Sequence, residues 1–167
     1  MDAIEVFRDF AGRPAWAVDQ LPELTSAQLN GHPAGHPNSV AWLLWHTGRE
    51  IDVQLAALND RPQVWEEEGF RGRLNLGEVG DSFGYGHEAD EAAAIETGDQ
   101  RMLQDYVKQT LRALIAYAES LEPAQWDEVI DHNWDPPVTR GVRLISIVDD
   151  ATQHIAQAAY VAGMPEL

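Results

Sequence analysis

The segment from Ser39 to Asn59 constrains this chain most. Val40, Leu43, Leu44, Thr47, Ile51, Leu55 and Leu58 recur at the three- and four-residue spacing of one helix face. A helix cannot cover its own apolar stripe, so this one must pack against other helices. Asn38 or Ser39 stands where its N-cap belongs. A further stripe runs from about Gln100 to Leu121, with Leu103, Val107, Thr110, Leu111, Leu114, Ala118 and Leu121 facing inward. The last begins near Thr139 and ends at Gly163, with Leu144, Ile147, Val148, Ala151, Ile155 and Ala158 on its face and Pro165 as a stop. Ile4, Phe7, Phe10 and Ala11 open a fourth, which Pro14 kinks or divides before Leu21 and Pro22 close it. No segment alternates with period two over strand length. The expected fold is all-α, a four-helix bundle, with residues 1–167 forming one domain.

The connections carry fewer signals. Thr25 and Gln28 have the spacing of a capping box at a helical turn. His32 to Pro37 is a Gly/Pro loop, and Trp134-Asp-Pro-Pro137 imposes an extended segment. Residues 69–86 contain Gly69, Gly72, Gly77, Gly80, Gly84 and Gly86. A connection that long, with no pattern of its own, is expected to be mobile, either a lid or disordered.

Composition removes several classes of function. Six tryptophans and four phenylalanines place the chain among folded domains. A net charge of -17, from 28 acidic against 11 basic residues, repels phosphate backbones and anionic lipid, so neither nucleic acid nor membrane is an expected partner. With no cysteine there is no disulfide, thiolate ligand or cysteine nucleophile, and any thiol chemistry needs a thiol from outside. The first residues lack the apolar run of a signal peptide and no segment suits a bilayer, so a cytoplasmic location is expected. An exposed tryptophan-bearing helix face leaves homodimerisation open.

The candidate chemistry sits at the margin of two stripes. Asp150 and His154 are four apart in the last helix, so their side chains stack one above the other. Polar groups bordering a packed face need partners, because burying one unpaired costs about 1–3 kcal/mol. His46, three after Leu43, occupies the same kind of margin in the second long helix. Bundle metal sites are built from inward side chains on facing helices. Two histidines and a carboxylate would hold a divalent cation and leave a position open for water or substrate. Zinc is the first expectation, with nickel or iron(II) as alternatives. The competing reading of Asp150 and His154 is a solvated ion pair.

Two stretches carry a family resemblance. Ala41-Trp-Leu-Leu-Trp-His46-Thr-Gly-Arg-Glu-Ile-Asp52 resembles the second-helix signature of the DinB-like superfamily. Asp149-Asp150-Ala-Thr-Gln-His154-Ile-Ala-Gln157-Ala-Ala-Tyr160-Val-Ala-Gly163 resembles its last-helix signature. Gly84-Tyr-Gly-His87 and Trp134-Asp-Pro-Pro-Val-Thr139 look like pieces of an actinobacterial branch. The resemblance implies a four-helix bundle whose divalent metal is held by one residue of the second helix and an i, i+4 pair of the last. Those positions are His46, Asp150 and His154 here. Relatives include mycothiol-dependent maleylpyruvate isomerase and bacillithiol transferases, which implies a metal-activated low-molecular-weight thiol as cosubstrate and a small-molecule substrate. The isomerase has glutamate where this chain has Asp150, and it carries a further C-terminal domain, so its substrate is not carried over.

Other residues have two readings each. Arg49 would contact a substrate anion near the metal, or pair on the surface with Asp52. His87 would fold over the site as an acid–base group or extra ligand, or remain a loop histidine. Trp42, Trp45, Trp16 and Trp134 would wall a pocket, or serve as plain core. Gln157 would orient the His154 imidazole, or face solvent. His32, His36 and His132 are assigned no role. The functional expectation is a metal-dependent thiol S-transferase or isomerase; the alternative is a non-catalytic, stress-related protein that binds metal or a small molecule.

Overall fold

A computed structural model of the chain describes residues 2–164. Its helices are α1 (Ala3–Asp19), α2 (Ser26–Leu29), α3 (Val40–Asn59), α4 (Val64–Glu67), α5 (Phe70–Leu74), α6 (Ala89–Ala93), α7 (Gln100–Glu119), α8 (Pro123–Trp126) and α9 (Arg140–Ala162). Single 3₁₀ turns occur at Pro33–Gly35 and Glu78–Asp81. The four long helices form the bundle: α3 packs on α7 and α9, and α1 packs on the same two. The expected all-α bundle is therefore what the chain builds.

The long helices start where side-chain oxygens can satisfy the free N–H groups of their first turns. Asp2 and Glu5 form a capping box on α1. Ser39, not Asn38, caps α3 by accepting from the Trp42 N–H. Asp99 and Thr139 do the same for α7 and α9. Thr25 and Gln28 make the expected capping box on α2. Pro14 neither divides nor begins a helix: it lies inside a continuous α1, buried in the interface. The stop expected at Pro165 falls outside the described residues.

The predicted stripes of α7 and α9 are core, with Leu103, Val107, Leu111, Leu114, Leu144, Ile147 and Val148 at 3% exposure or less. Burying a side chain of this size contributes about 1.5–3 kcal/mol. Helix α3 is different, because every residue from Val40 to Arg49 is buried, not one face alone. The second face is covered by residues 69–87, the stretch expected to be mobile. Its chain is attached to the bundle: Phe70 and Leu74 of α5 enter the core, and the Gly80 carbonyl accepts from Trp45 Nε1. The glycines concealed two anchoring hydrophobes and backbone carbonyls that serve as acceptors. Gly48 lets α7 pack closely on α3, since a Cβ there would lie 2.4 Å from a ring atom of Tyr106.

A short antiparallel ladder, β1 (Val129–Asp131) with β2 (Val138–Thr139), interrupts the helical pattern. Two or three residues are too few for an alternating pattern to be readable. The intervening turn contains the cis Asp135–Pro136 peptide and leads into the cap of α9. No helix of the described residues is long and apolar enough to cross a membrane.

Candidate metal centre

His46 and Glu50 project from α3, and Asp150 and His154 from α9, each pair one helical turn apart. One ligand atom from each of the four lies within 4.8 Å of all the others. Nε2 of His46 is 3.5 Å from Glu50 Oε2, and Nε2 of His154 is 3.5 Å from Asp150 Oδ2. The two imidazole rings meet edge to face at 4.7 Å. The structure thus brings His46, Asp150 and His154 together and adds Glu50. That residue stands four after His46, the same spacing that marked Asp150 and His154, so the signal was present in the sequence.

Both histidines are oriented through their other nitrogen. Nδ1–H of His46 donates to the Phe83 carbonyl in a short hydrogen bond. Nδ1 of His154 pairs at 2.8 Å with Gln157 Oε1, the orienting contact expected of Gln157. A carbonyl or amide oxygen can only accept, so each Nδ1 carries the proton and each Nε2 lone pair is left for the cluster. His46 is stacked on Trp42 at 4.5 Å. Burial lowers its pKa to about 4, so the ring is neutral near pH 7, as a ligand must be. Burial, together with the neighbouring Asp150 carboxylate, raises Glu50 to about 8.

The donor set fits a divalent ion. Two neutral imidazole nitrogens and two carboxylates suit zinc, nickel or iron(II), and the cluster could hold any of these. Glu50 and Asp150 keep 25% and 35% of their side chains exposed, so the centre opens to solvent on the carboxylate side.

The remaining expected residues fall elsewhere. Arg49 does not pair on the surface: it is 2% exposed, and its Nη1 lies 3.9 Å from Oδ2 of the equally buried Asp52. Its guanidinium donates to the carbonyls of Ser82 and Asp81 at 2.7 and 2.9 Å, and to Gln63 Oε1 at 2.8 Å. It lies 5.0 Å over the Trp65 ring. Arg49 therefore ties residues 81–82 to α3. Asp52 is likewise buried, accepting from the Val64 and Trp65 N–H groups and from the Tyr106 hydroxyl, each at 2.8 Å.

His87 does fold over the site, but its ring is engaged. Nδ1 accepts from Trp42 Nε1 at 3.3 Å, and Nε2 donates to Ser82 Oγ at 2.8 Å. It clasps the connection against Trp45, on which it stacks at 5.5 Å, and lies outside the ligand cluster. Trp42 and Trp45 are core, at 5% and 0% exposure, with their rings 4.5 and 6.5 Å from that of His46. Trp16 and Trp134 are not: they are 68% and 65% exposed, on α1 and in the β1–β2 turn.

The comparisons agree with this architecture. A crystal structure described as the conserved protein of locus from Enterococcus faecalis superposes with a TM-score of 0.87 at 33% identity, over 97% of this chain and 96% of that one. No curated protein matches the sequence. The profile of the DinB superfamily matches residues 16–158. With that match over most of its length, the chain belongs to the DinB superfamily.

Proposed function

We propose that the protein is a divalent-metal-dependent enzyme of the thiol S-transferase or isomerase type, with a low-molecular-weight thiol such as mycothiol as cosubstrate. The observation that carries this reading is the convergence of His46, Glu50, Asp150 and His154 beside a solvent opening, in a chain with no cysteine of its own. His46, Asp150 and His154 would hold the ion, the three positions implied by the resemblance. A divalent ion bound there supplies Lewis acidity that favours the thiolate form of a small thiol near neutral pH.

The chain's own residues do the rest. Phe83 and Gln157 hold the imidazoles with Nε2 toward the centre. Trp42 and Trp45 keep water from the buried side of His46. Glu50, which stands beside the three residues that would hold the ion and is not itself one of them in this reading, takes the thiol proton on an Oε atom. The freed sulfur pair then forms a bond to the electrophilic carbon. In a transfer, the bond to the leaving group breaks with its electron pair, and the proton on Glu50 leaves with that group.

Glu50 also supports a second reading. With all four donors on the ion a tetrahedral set is closed, which characterises structural sites, and the protein would be a non-catalytic metal-stabilised binder. One experiment separates the two. Metal content and thiol consumption against a panel of electrophiles are measured for the wild type, Glu50→Gln and the His46→Ala/His154→Ala double variant. The enzyme reading expects Glu50→Gln to keep its metal and lose turnover about 10²-fold or more. It also expects the double variant to lose both. Undiminished turnover in the double variant overturns it. A Glu50→Gln protein that loses its metal, beside a wild type that consumes no thiol, establishes the binder instead.

A further inference from the structure

Next to the four-donor cluster lies a cleft of about 790 Å³, within the range of small-molecule sites. It runs between the Pro33–Gly35 turn, the start of α3 and the C-terminal end of α9. His154 and Gln157 form the end nearest the metal centre. Leu43, Val161, Met164 and the exposed ring of Tyr160 supply much of its apolar wall, and His36 and Asn38 add polar side chains. No lysine, arginine, aspartate or glutamate lines it.

We infer that this cleft is the acceptor-substrate subsite and that it selects uncharged, largely apolar electrophiles, aryl compounds above all. The inference rests on the function proposed above and names the substrate class for the same centre. Two arguments carry it. The first is continuity: a molecule in the cleft touches His154, so its reactive carbon lies beside the centre where the sulfur would be held. The second is charge. A carboxylate in the cleft would meet no lysine or arginine, only the imidazoles of His36 and His154, would sit near Asp150 and Glu50, and would approach a chain of net charge -17. Desolvating an anion without a partner is costly, whereas an uncharged ring loses little and gains contact with Tyr160 and Met164. Arg49, the cation nearest in sequence to His46, is buried under residues 81–82 and offers an anion nothing.

The test is binding without thiol or turnover. The full chain is titrated calorimetrically with naphthalene-1-methanol and with 1-naphthoate. The alcohol is expected to bind at least about tenfold more tightly. Ala34 lines the cleft, is exposed, and sits at φ 52°, a conformation that aspartate tolerates better than alanine. Ala34→Asp is expected to fold normally and weaken the alcohol about tenfold, whereas Ala34→Lys should narrow or reverse the preference for the alcohol over naphthoate. Equal or tighter binding of naphthoate to the wild type overturns the inference, as does alcohol binding that Ala34→Asp leaves unchanged. A wild type that sediments as a dimer, binds neither probe and is made monomeric by Ala34→Asp also overturns it, and assigns the cleft to a contact between copies. Intact probe binding with no thiol consumption refutes the proposed function and spares the cleft; the converse refutes the cleft alone.

Discussion

A Cβ added to Gly84 would lie 2.8 Å from Nδ1 of His46 and 2.9 Å from the Trp45 ring. Gly84 also holds φ at 88°, in the region that favours glycine. The connection can reach over the ligand helix because this residue has no side chain, and its neighbour Phe83 then supplies the carbonyl that orients His46. Gly84→Ala is therefore expected to lift the segment. Metal affinity should fall about 10–100-fold, as when an orienting partner of a ligand is lost. Stability should fall by at least about 1–2 kcal/mol from the backbone alone. Competition with a metal chelator and urea unfolding check the two effects.

Gln157 offers a cleaner separation of metal binding from folding. It is exposed, and its recorded partner is Nδ1 of His154. Gln157→Ala should leave stability within about 0.5 kcal/mol of the wild type and weaken metal binding about tenfold or more. Unchanged affinity would mean that the His154 ring is positioned without it.

Arg49 is expected to behave as a structural residue. Its removal leaves the Ser82 and Asp81 carbonyls without their donor and Asp52 without its nearby buried cation. Arg49→Met should cost about 3 kcal/mol in urea unfolding. Arg49→Lys should lose most of that as well, because an ammonium cannot reproduce the fork that meets two carbonyls, Gln63 and Tyr106.

The pH dependence of the metal-free protein follows from two opposed groups. Glu50 rises from 4.5 to about 8 on folding, so its contribution is complete below pH 4.5 and is lost as pH rises through about 8. His46 falls from 6.5 to about 4, so its contribution is complete above pH 6.5 and is lost as pH falls through about 4. The two slopes oppose each other between 4.5 and 6.5. Between pH 6.5 and 8 Glu50 still acts and His46 does not, so the urea midpoint of chelator-treated protein should fall there. Glu50→Gln should abolish the fall. Metal-loaded protein should show the reverse slope, because the ligands bind only when deprotonated.

The amino-acid sequence by itself determined the bundle and pointed to three of the four side chains that converge. Apolar residues at helical spacing specify which face of α7 and α9 is buried, and Ser39, Asp99 and Thr139 specify where helices begin. These are local properties, written within a few turns of one helix. The i, i+4 pair Asp150 and His154 is local in the same sense, and so is His46 with Glu50, although one carboxylate among 28 acidic residues carries little signal alone. Only the tertiary structure decided what covers the second face of α3. Arg49, His87 and Gly84 take their roles from partners 32 to 45 positions away in the chain, contacts to backbone carbonyls and ring faces that leave no periodic trace. Residues 69–86 looked patternless because their backbone oxygens and two hydrophobes hold them in place, and a backbone acceptor has no letter in the sequence.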